Sequence, residues 1–436
     1  MPADRFDSLV VETGALAAEF LRAGKRVYLV GGIVRDTLLG RARAELDLDL
    51  TTDALPDEIE SILQRCRPTA MWTQGKRFGT VGATINGPNG PRAVEITTHR
   101  AEQYHDDSRK PEVRFSTDIT LDLSRRDFTV NAMAFDLANH ELLDPFGGER
   151  DLADRVLRTP LSPDISFRDD PLRMLRAARF VAALGLTADP ALHDAVIDGG
   201  HRMSIVSAER VRGELEKLLA LDDPAPGLRF LASSSLMAVV IPELAGRSVE
   251  TEVSRVARVR PWLVRLAALL WDGCTSEQSA RKRLRALKCS SDEETFVGRL
   301  FALRTIDLPT AASSDGGTRR FLRTAGEHLD AFRDLVRADC EARLPSDSAV
   351  ETLHALRSMD ARAAALAEVE DLKSLEPELD GDAVMGLLGL APGRSVGKAL
   401  AYLLSIRLDE GVIGRAEAER RLRLWWEHRE DEQPAQ

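Results

Sequence analysis

The chain runs to 436 residues with an apolar fraction of 44%, which at roughly 100 to 200 residues per domain allows two to four packing units with real cores and excludes a disordered or fibrous protein. Its 59 Lys and Arg against 70 Asp and Glu leave a formal charge of −11, so a nucleic-acid partner would have to meet a local basic patch and not the surface at large. No stretch approaches the ~20 apolar residues of a membrane span, and the opening MPADRFDSLVVETG lacks the basic start and apolar run of a secretory signal. Cys66, Cys274, Cys289 and Cys340 show no paired ligand spacing. A cytoplasmic protein with reduced thiols and no membrane partner is expected.

In chain order, VYLV (27–30) reads as a strand running into Gly31-Gly32 and a helix, and LDLDLTT (46–52) as a strand ahead of the helical PDEIESILQRC. GTVGATI, AVEITT and NAMAFDL continue the β-like pattern, and together these segments predict a small α/β or α+β domain. The stretch AEQYHDDSRKPEVRFSTDIT (101–120) is rich in charge and turn formers, which predicts a mobile loop. From about residue 165 the strand signals nearly vanish. DPLRMLRAARFVAALG, SAERVRGELEKLLAL, PWLVRLAALLW and AERRLRLWWEHR all carry helical apolar spacing. Breaks are expected near residues 224–227, around 313–317 and at Pro345, and the final EDEQPAQ reads as a frayed tail.

The strongest chemical signal is Asp47-Leu48-Asp49. Residues two apart on a strand point to one face, and two adjacent carboxylates raise each other's energy unless a cation sits between them. Mg²⁺ suits that place, because it takes one or two carboxylates together with phosphate oxygens; solvated acids on an exposed strand edge are the other reading. Upstream, Gly31-Gly32 between a strand and a helix lets backbone N–H groups approach an anion, and Arg35 adds a fixed positive charge. Farther on, Arg281, Lys282, Arg283, Arg285 and Lys288 fall within eight positions. They form either a solvated helix face or the local patch that RNA would need.

The segment GGIVRDTLLGRARAELDLDLTT (31–52) resembles the catalytic signature of the bacterial class II tRNA nucleotidyltransferases and related poly(A) polymerases, of the polymerase-beta superfamily. The likeness continues in order through RRDFTVNAMAFD (125–136), DPFGGERDL (144–152), FRDDPLRMLRAARFVAALG (167–185) and SAERVRGELEKLL (207–219). It implies an α+β fold: a nucleotidyltransferase head with a small mixed sheet at 1–150, then an elongated all-helical neck (151–225), body (226–345) and tail (346–436). The implied activity is template-independent addition of C, C and A to the 3′ end of tRNA from CTP and ATP with release of pyrophosphate, with Mg²⁺ as cofactor and no protein partner. Sibling activities that add only CC, only A, or poly(A) share the same carboxylates, and a dead RNA-binding relative is the reading from another class. The loop at 101–120 favours A addition, because CC-only relatives tend to lack such a loop.

The resemblance also assigns roles. Asp47 and Asp49 would hold the metals, with Glu95 as a third carboxylate. Arg126 and Asp127, within Arg125-Arg126-Asp127, would meet phosphate and ribose. Asp170 and Arg173 would read the base, the carboxylate accepting from the exocyclic amino group of C or A and the guanidinium donating to ring nitrogens. Gly32, Arg35, Arg176 and Arg179 complete the expected nucleotide-binding set, and Arg281, Lys282, Arg283 and Arg285 the RNA-binding set. Where some relatives carry the His-Asp doublet of a phosphohydrolase, this chain has Trp271-Asp272 in LAALLWDG, so a buried helix is expected there in place of that activity.

Overall fold

In the computed structural model, residues 5–41, 47–88, 90–103, 112–372 and 374–430 are described. The chain divides into two compact units, Met1–Gly246 and Arg247–Gln436.

The first unit begins with α1 (Asp7–Arg22), β1 (Val27–Val30), α2 (Gly32–Leu38), β2 (Leu48–Thr52) and α3 (Pro56–Arg65). There follow β3 (Ala70–Trp72), β4 (Thr80–Gly87), β5 (Gly90–Thr98), β6 (Arg100–Gln103) and β7 (Glu112–Phe115). Next come α4 (Ile119–Ser124), β8 (Ala134–Asp136), β9 (Glu141–Leu143), α5 (Gly148–Asp154) and β10 (Val156–Leu157). Seven strands form one mixed sheet in the order β3-β4-β5-β2-β1-β8-β9. β1 is a short β-branched and aromatic run, buried along its whole length, as a central strand should be. It pairs antiparallel with β2 and β8, while β2 runs parallel to β5. α3 covers β4 and β5, and Phe6 stacks on Phe135 with ring centroids 4.1 Å apart.

Two details differ from the sequence reading. β2 starts at Leu48, so Asp47 stands just ahead of the strand. The segment expected as one loop at 101–120 instead carries an antiparallel ribbon, Arg100 to Gln103 against Glu112 to Phe115, and then α4; residues 104–111, the centre of that expectation, lie outside the described residues. Charge and turn formers hid strands of four residues each, too short to show an alternation.

The rest of the first unit is helical: α6 (Pro163–Asp169), α7 (Leu172–Leu184), α8 (Pro190–Gly199), α9 (Ala208–Leu219), α10 (Ala225–Ser233) and α11 (Leu236–Val240), interrupted by the two-residue β11 (Thr187–Ala188), which pairs parallel with β10. α7 packs against both α9 and α10. The expected break at 224–227 is in fact the start of α10, with Pro224 as its N-cap. A Cβ on Gly227 would lie 2.5 Å from the carbonyl oxygen of Ala178, so the glycine is there to let α10 meet the backbone of α7.

Among its described residues the second unit is all helix: α12 (Glu250–Arg258), α13 (Trp262–Leu270), α14 (Glu277–Ala286), α15 (Ser291–Leu303), α16 (Leu308–Ala312), α17 (Asp315–Ala325), α18 (Leu329–Arg343), α19 (Asp347–Ala367), α20 (Gly381–Leu388), α21 (Arg394–Glu410) and α22 (Arg415–Glu430). Pro345 falls between helices, whereas the break expected at 313–317 is the junction of α16 and the first turn of α17, with Ser314 capping α17 by accepting from the Gly317 N–H. α13 is buried from Val264 to Leu270, with Trp271 at its end. Asp272 is taken up by Arg255 and Arg343, so this stretch serves as a core helix, as its composition suggests.

Candidate functional site

Asp49 is the one exposed residue of β2. Parallel pairing sets it opposite Glu95 of β5, and Glu95 in turn stands opposite Gly82 of β4. Asp47, Asp49 and Glu95 are all exposed, and no ion pair or hydrogen bond to a described residue holds their carboxylates. Partial removal from water pushes the Asp49 carboxyl above its ordinary range, Glu95 and Asp47 push it further, and Arg126 pulls the other way. Three carboxylates thus gather on one face with a deficit of positive charge. Among the described residues no three Asp, Glu, His or Cys side chains converge as a closed, protein-only metal site. An open pair of acids with a neighbour fits instead a hard cation that draws most of its oxygens from phosphate, as Mg²⁺ does.

The turn before α2 supplies the opposite charge. Gly31 has φ +74°, and a Cβ there would sit 3.2 Å from Nη1 of Arg126, so the glycine permits both the turn and the close approach of the guanidinium. Arg126 and Arg125 are held by Asp122 of α4, which also accepts from the Arg100 N–H. Burial works against the Asp122 charge, but Arg126 and Arg125 outweigh it and hold the carboxyl down at about 2. Beside it, His99 is buried and bonded through Nδ1 to the Thr51 hydroxyl at 2.8 Å; burial holds its pKa below the usual histidine value.

A second network ties the sheet to α7. Arg35 donates to Asp36 and, at 2.6 Å, to Oδ1 of Asn131, whose amide donates to Asp127. Asp127 pairs with Arg176 at 2.5 Å. Its burial disfavours the charge, yet Arg176, Asn131, Arg173 and the Phe128 N–H together keep its pKa below the ordinary value. Arg35, Arg176 and Arg179 all lie over the Phe180 ring, 4.4 to 5.8 Å from its centroid, and Arg179 is anchored on Glu214 at 2.7 Å.

The turn between α6 and α7 carries the remaining pair. Asp170, two residues ahead of α7, accepts from the Leu172 N–H, and its other oxygen pairs with Arg210 of α9 at 2.8 Å. Arg173 is buried and donates to the Ser166 hydroxyl at 2.8 Å and to the Arg125 carbonyl at 2.5 Å. The structure therefore brings Arg35, Arg126, Asp127, Arg173, Arg176 and Arg179 into linked networks, with Gly32 opening α2 beside Arg35 and Asp170 joined to α9 through Arg210. In the second unit Arg281 pairs with Glu277 of its own helix and Arg285 with Glu294 of α15, while Lys282 is exposed. Sequence reasoning missed Asp122, Asn131, Phe180 and Arg210. Only Asp122 had a local signal, three and four residues ahead of Arg125 and Arg126 on a helical turn.

The mixed sheet presenting exposed acids, flanked by arginines and followed by helices, falls within a poly(A) polymerase-type head: residues 27–158 match the family described as "Poly A polymerase head domain", and residues 185–247 the one described as "Probable RNA and SrmB- binding site of polymerase A". The chain is 35% identical over 297 residues to the CCA-adding enzyme of Geobacillus stearothermophilus, covering 67% of this chain and 70% of that one. It is 38% identical over 269 residues to that of Geobacillus thermodenitrificans, covering 62% of this chain and 59% of the relative's length. The crystal structure of the Bacillus stearothermophilus CCA-adding enzyme in complex with CTP superposes with a TM-score of 0.73 at 29% identity, covering 98% of this chain and 99% of that one. The chain belongs to the CCA-adding enzyme family.

Proposed function

We propose that this protein is a tRNA nucleotidyltransferase that adds C, C and A to the 3′ end of tRNA from CTP and ATP, releasing pyrophosphate. The observation that carries the reading is the in-register pairing of Asp49 with Glu95, beside Asp47, on a sheet whose neighbouring turn holds Arg126 against Gly31. Mg²⁺ held by Asp47 and Asp49 would neutralise triphosphate charge and favour ionisation of the primer hydroxyl. Arg126, fixed by Asp122, meets the phosphates. Asp127, locked by Asn131 and Arg176, meets the ribose. Asp170 accepts from the exocyclic amino group of C or A, and the bonds of Arg173 to Ser166 and Arg125 leave part of its five-donor fork for a base edge. We assign the catalytic head to 1–150, the neck with base recognition to 151–225, and RNA binding to the body (226–345) and tail (346–436). Support comes from the head-domain match at 27–158 and the helical character of the remainder.

Among the described residues no helix is long and apolar enough to cross a membrane; a cytoplasmic setting, where tRNA is found, fits the proposal. The test supplies purified protein with tRNAs ending before CCA, after C and after CC, with CTP and ATP separately and together. Extension of all three to complete CCA is expected. Products that stop at CC, or extension only of the CC-ended tRNA, would replace the proposal with a sibling activity, and absence of any transfer would overturn it.

A further inference from the structure

The row of residues that contains Asp49 and Glu95 does not end at Glu95. Asp49 pairs with Glu95, Glu95 with Gly82, and Gly82 with Trp72 of β3, and residues paired across neighbouring strands point to the same face. The Trp72 side chain lies flat across Gly82: a Cβ on that glycine would stand 2.0 Å from Nε1 and 2.1 Å from Cε2 of the indole. Only glycine leaves that space. With strands about 4.8 Å apart, the indole sits about one strand spacing beyond Glu95, on the carboxylate face. The ring is half-buried, and its N–H forms no hydrogen bond with a described residue. Trp buried for packing alone usually finds a partner for that N–H.

The side on which it stands decides its partner. Every cationic group assigned above to the triphosphate, Arg126 at Gly31 and Arg35 in α2, lies on the β1 side of β2. β5, β4 and β3 lie on the other side, so the second reactant, the RNA end, is left to approach across Glu95. We propose that Trp72 is the platform on which the 3′-terminal nucleotide of the RNA primer stacks, with its N–H free to donate to that nucleotide's backbone, making it a positioning residue for the attacking hydroxyl. This rests on the tRNA nucleotidyltransferase reading. Stacking tolerates either base, which suits an end that is C at one step and another residue at the next.

The test compares Trp72→Leu, which keeps apolar bulk on the strand, with Trp72→Phe, which keeps a ring, and Gly82→Ala, which must push the indole aside. Each is assayed with full-length protein and tRNA ending in CC, varying tRNA and ATP in turn. In Trp72→Leu and Gly82→Ala, kcat/KM for the tRNA should fall about ten-fold while KM for ATP stays within two-fold of the parent; Trp72→Phe should recover most of the loss. An unchanged kcat/KM for tRNA, or a rise in KM for ATP of the same size, would overturn the assignment, the latter marking a merely distorted sheet. If Trp72→Leu fails to fold, the other two variants decide. Normal parental turnover with unaffected variants sinks the Trp72 role alone, whereas a parent that transfers nothing sinks the tRNA reading.

Discussion

The helical second unit and the carboxylate face of the first treat acids in opposite ways. In the second unit, the Glu370 carboxylate is buried between Arg319 and Arg407, and the half-buried Asp272 lies between Arg255 and Arg343. Burial disfavours the Glu370 charge, but Arg407 and Arg319 more than offset it, and its pKa drops. On the carboxylate face of the first unit, Asp49 loses water too; Arg126 offsets only part of that loss, Glu95 and Asp47 add to it, and its pKa rises. Matched acids hold helices together; unmatched acids wait for a cation from outside. Asp49→Ala is therefore the change of largest effect: transfer should fall at least about a thousand-fold, while tRNA affinity and Tm stay near the parent or Tm rises as like charges are removed. Single-turnover rates and a melting curve check this, and a loss of stability comparable to that of a buried ion pair would erase the contrast.

The reverse experiment uses the matched acid. Glu370→Ala leaves Arg319 and Arg407 buried without a counter-charge, which should cost about 3–5 kcal/mol in urea unfolding. Retained stability would mean that these arginines reach solvent readily and that the clamp holds little.

How far this contrast is visible in the sequence depends on the distance over which it is written. Asp47-Leu48-Asp49 and Gly31-Gly32 are local patterns of strand and turn, so they could be read directly, as could α7 and α9 from their apolar spacing. Glu95 could be suspected from its strand, but its place beside Asp49 depends on β5 pairing with β2 across more than forty residues, which no local period encodes. β3 and β9, at three residues each, are too short to show alternation, and the Trp72–Gly82 contact vanished with β3. Arg210 carries no local signal within α9; its pairing with Asp170, 40 residues away, is a product of packing.

Asp122 stands between the two extremes, a matched acid placed beside the unmatched ones. Asp122→Asn should loosen Arg125 and Arg126, raising KM for the nucleotide several-fold and lowering stability by about 2 kcal/mol. The pH dependence has a definite sign. The folded-state pKa of Asp122, about 2, lies below the ordinary value near 4, so its stabilisation is fully present above about pH 4 and is lost as the pH falls toward 2. Parent and variant should therefore differ most in denaturant midpoint at neutral pH and converge on acidification. Parallel curves down to pH 2 would show that Asp122 does not hold its charge through the arginines.

The smallest effect is expected where matching is nearly complete on a surface. Arg281 and Arg285 look like RNA contacts in the sequence, but Glu277 and Glu294 already answer them at 2.8 and 2.9 Å, and only Lys282 of the four is exposed without a partner among the described residues. A cation must release its own acid before it can displace a counterion from RNA, so at least two of the four should contribute little to the salt dependence of binding. Each phosphate contact is worth a slope of roughly 0.7 to 0.9 in log K against log salt. Changing Arg281, Lys282, Arg283 and Arg285 together to neutral residues should thus flatten the slope by about 1 to 2 units, not by the 3 or more that four free cations would give, with turnover at saturating tRNA unchanged. Filter binding of tRNA across a salt series measures it. No change in slope would make the patch an ordinary solvated helix face, and a drop of 3 or more would mean that tRNA pulls both arginines from their glutamates.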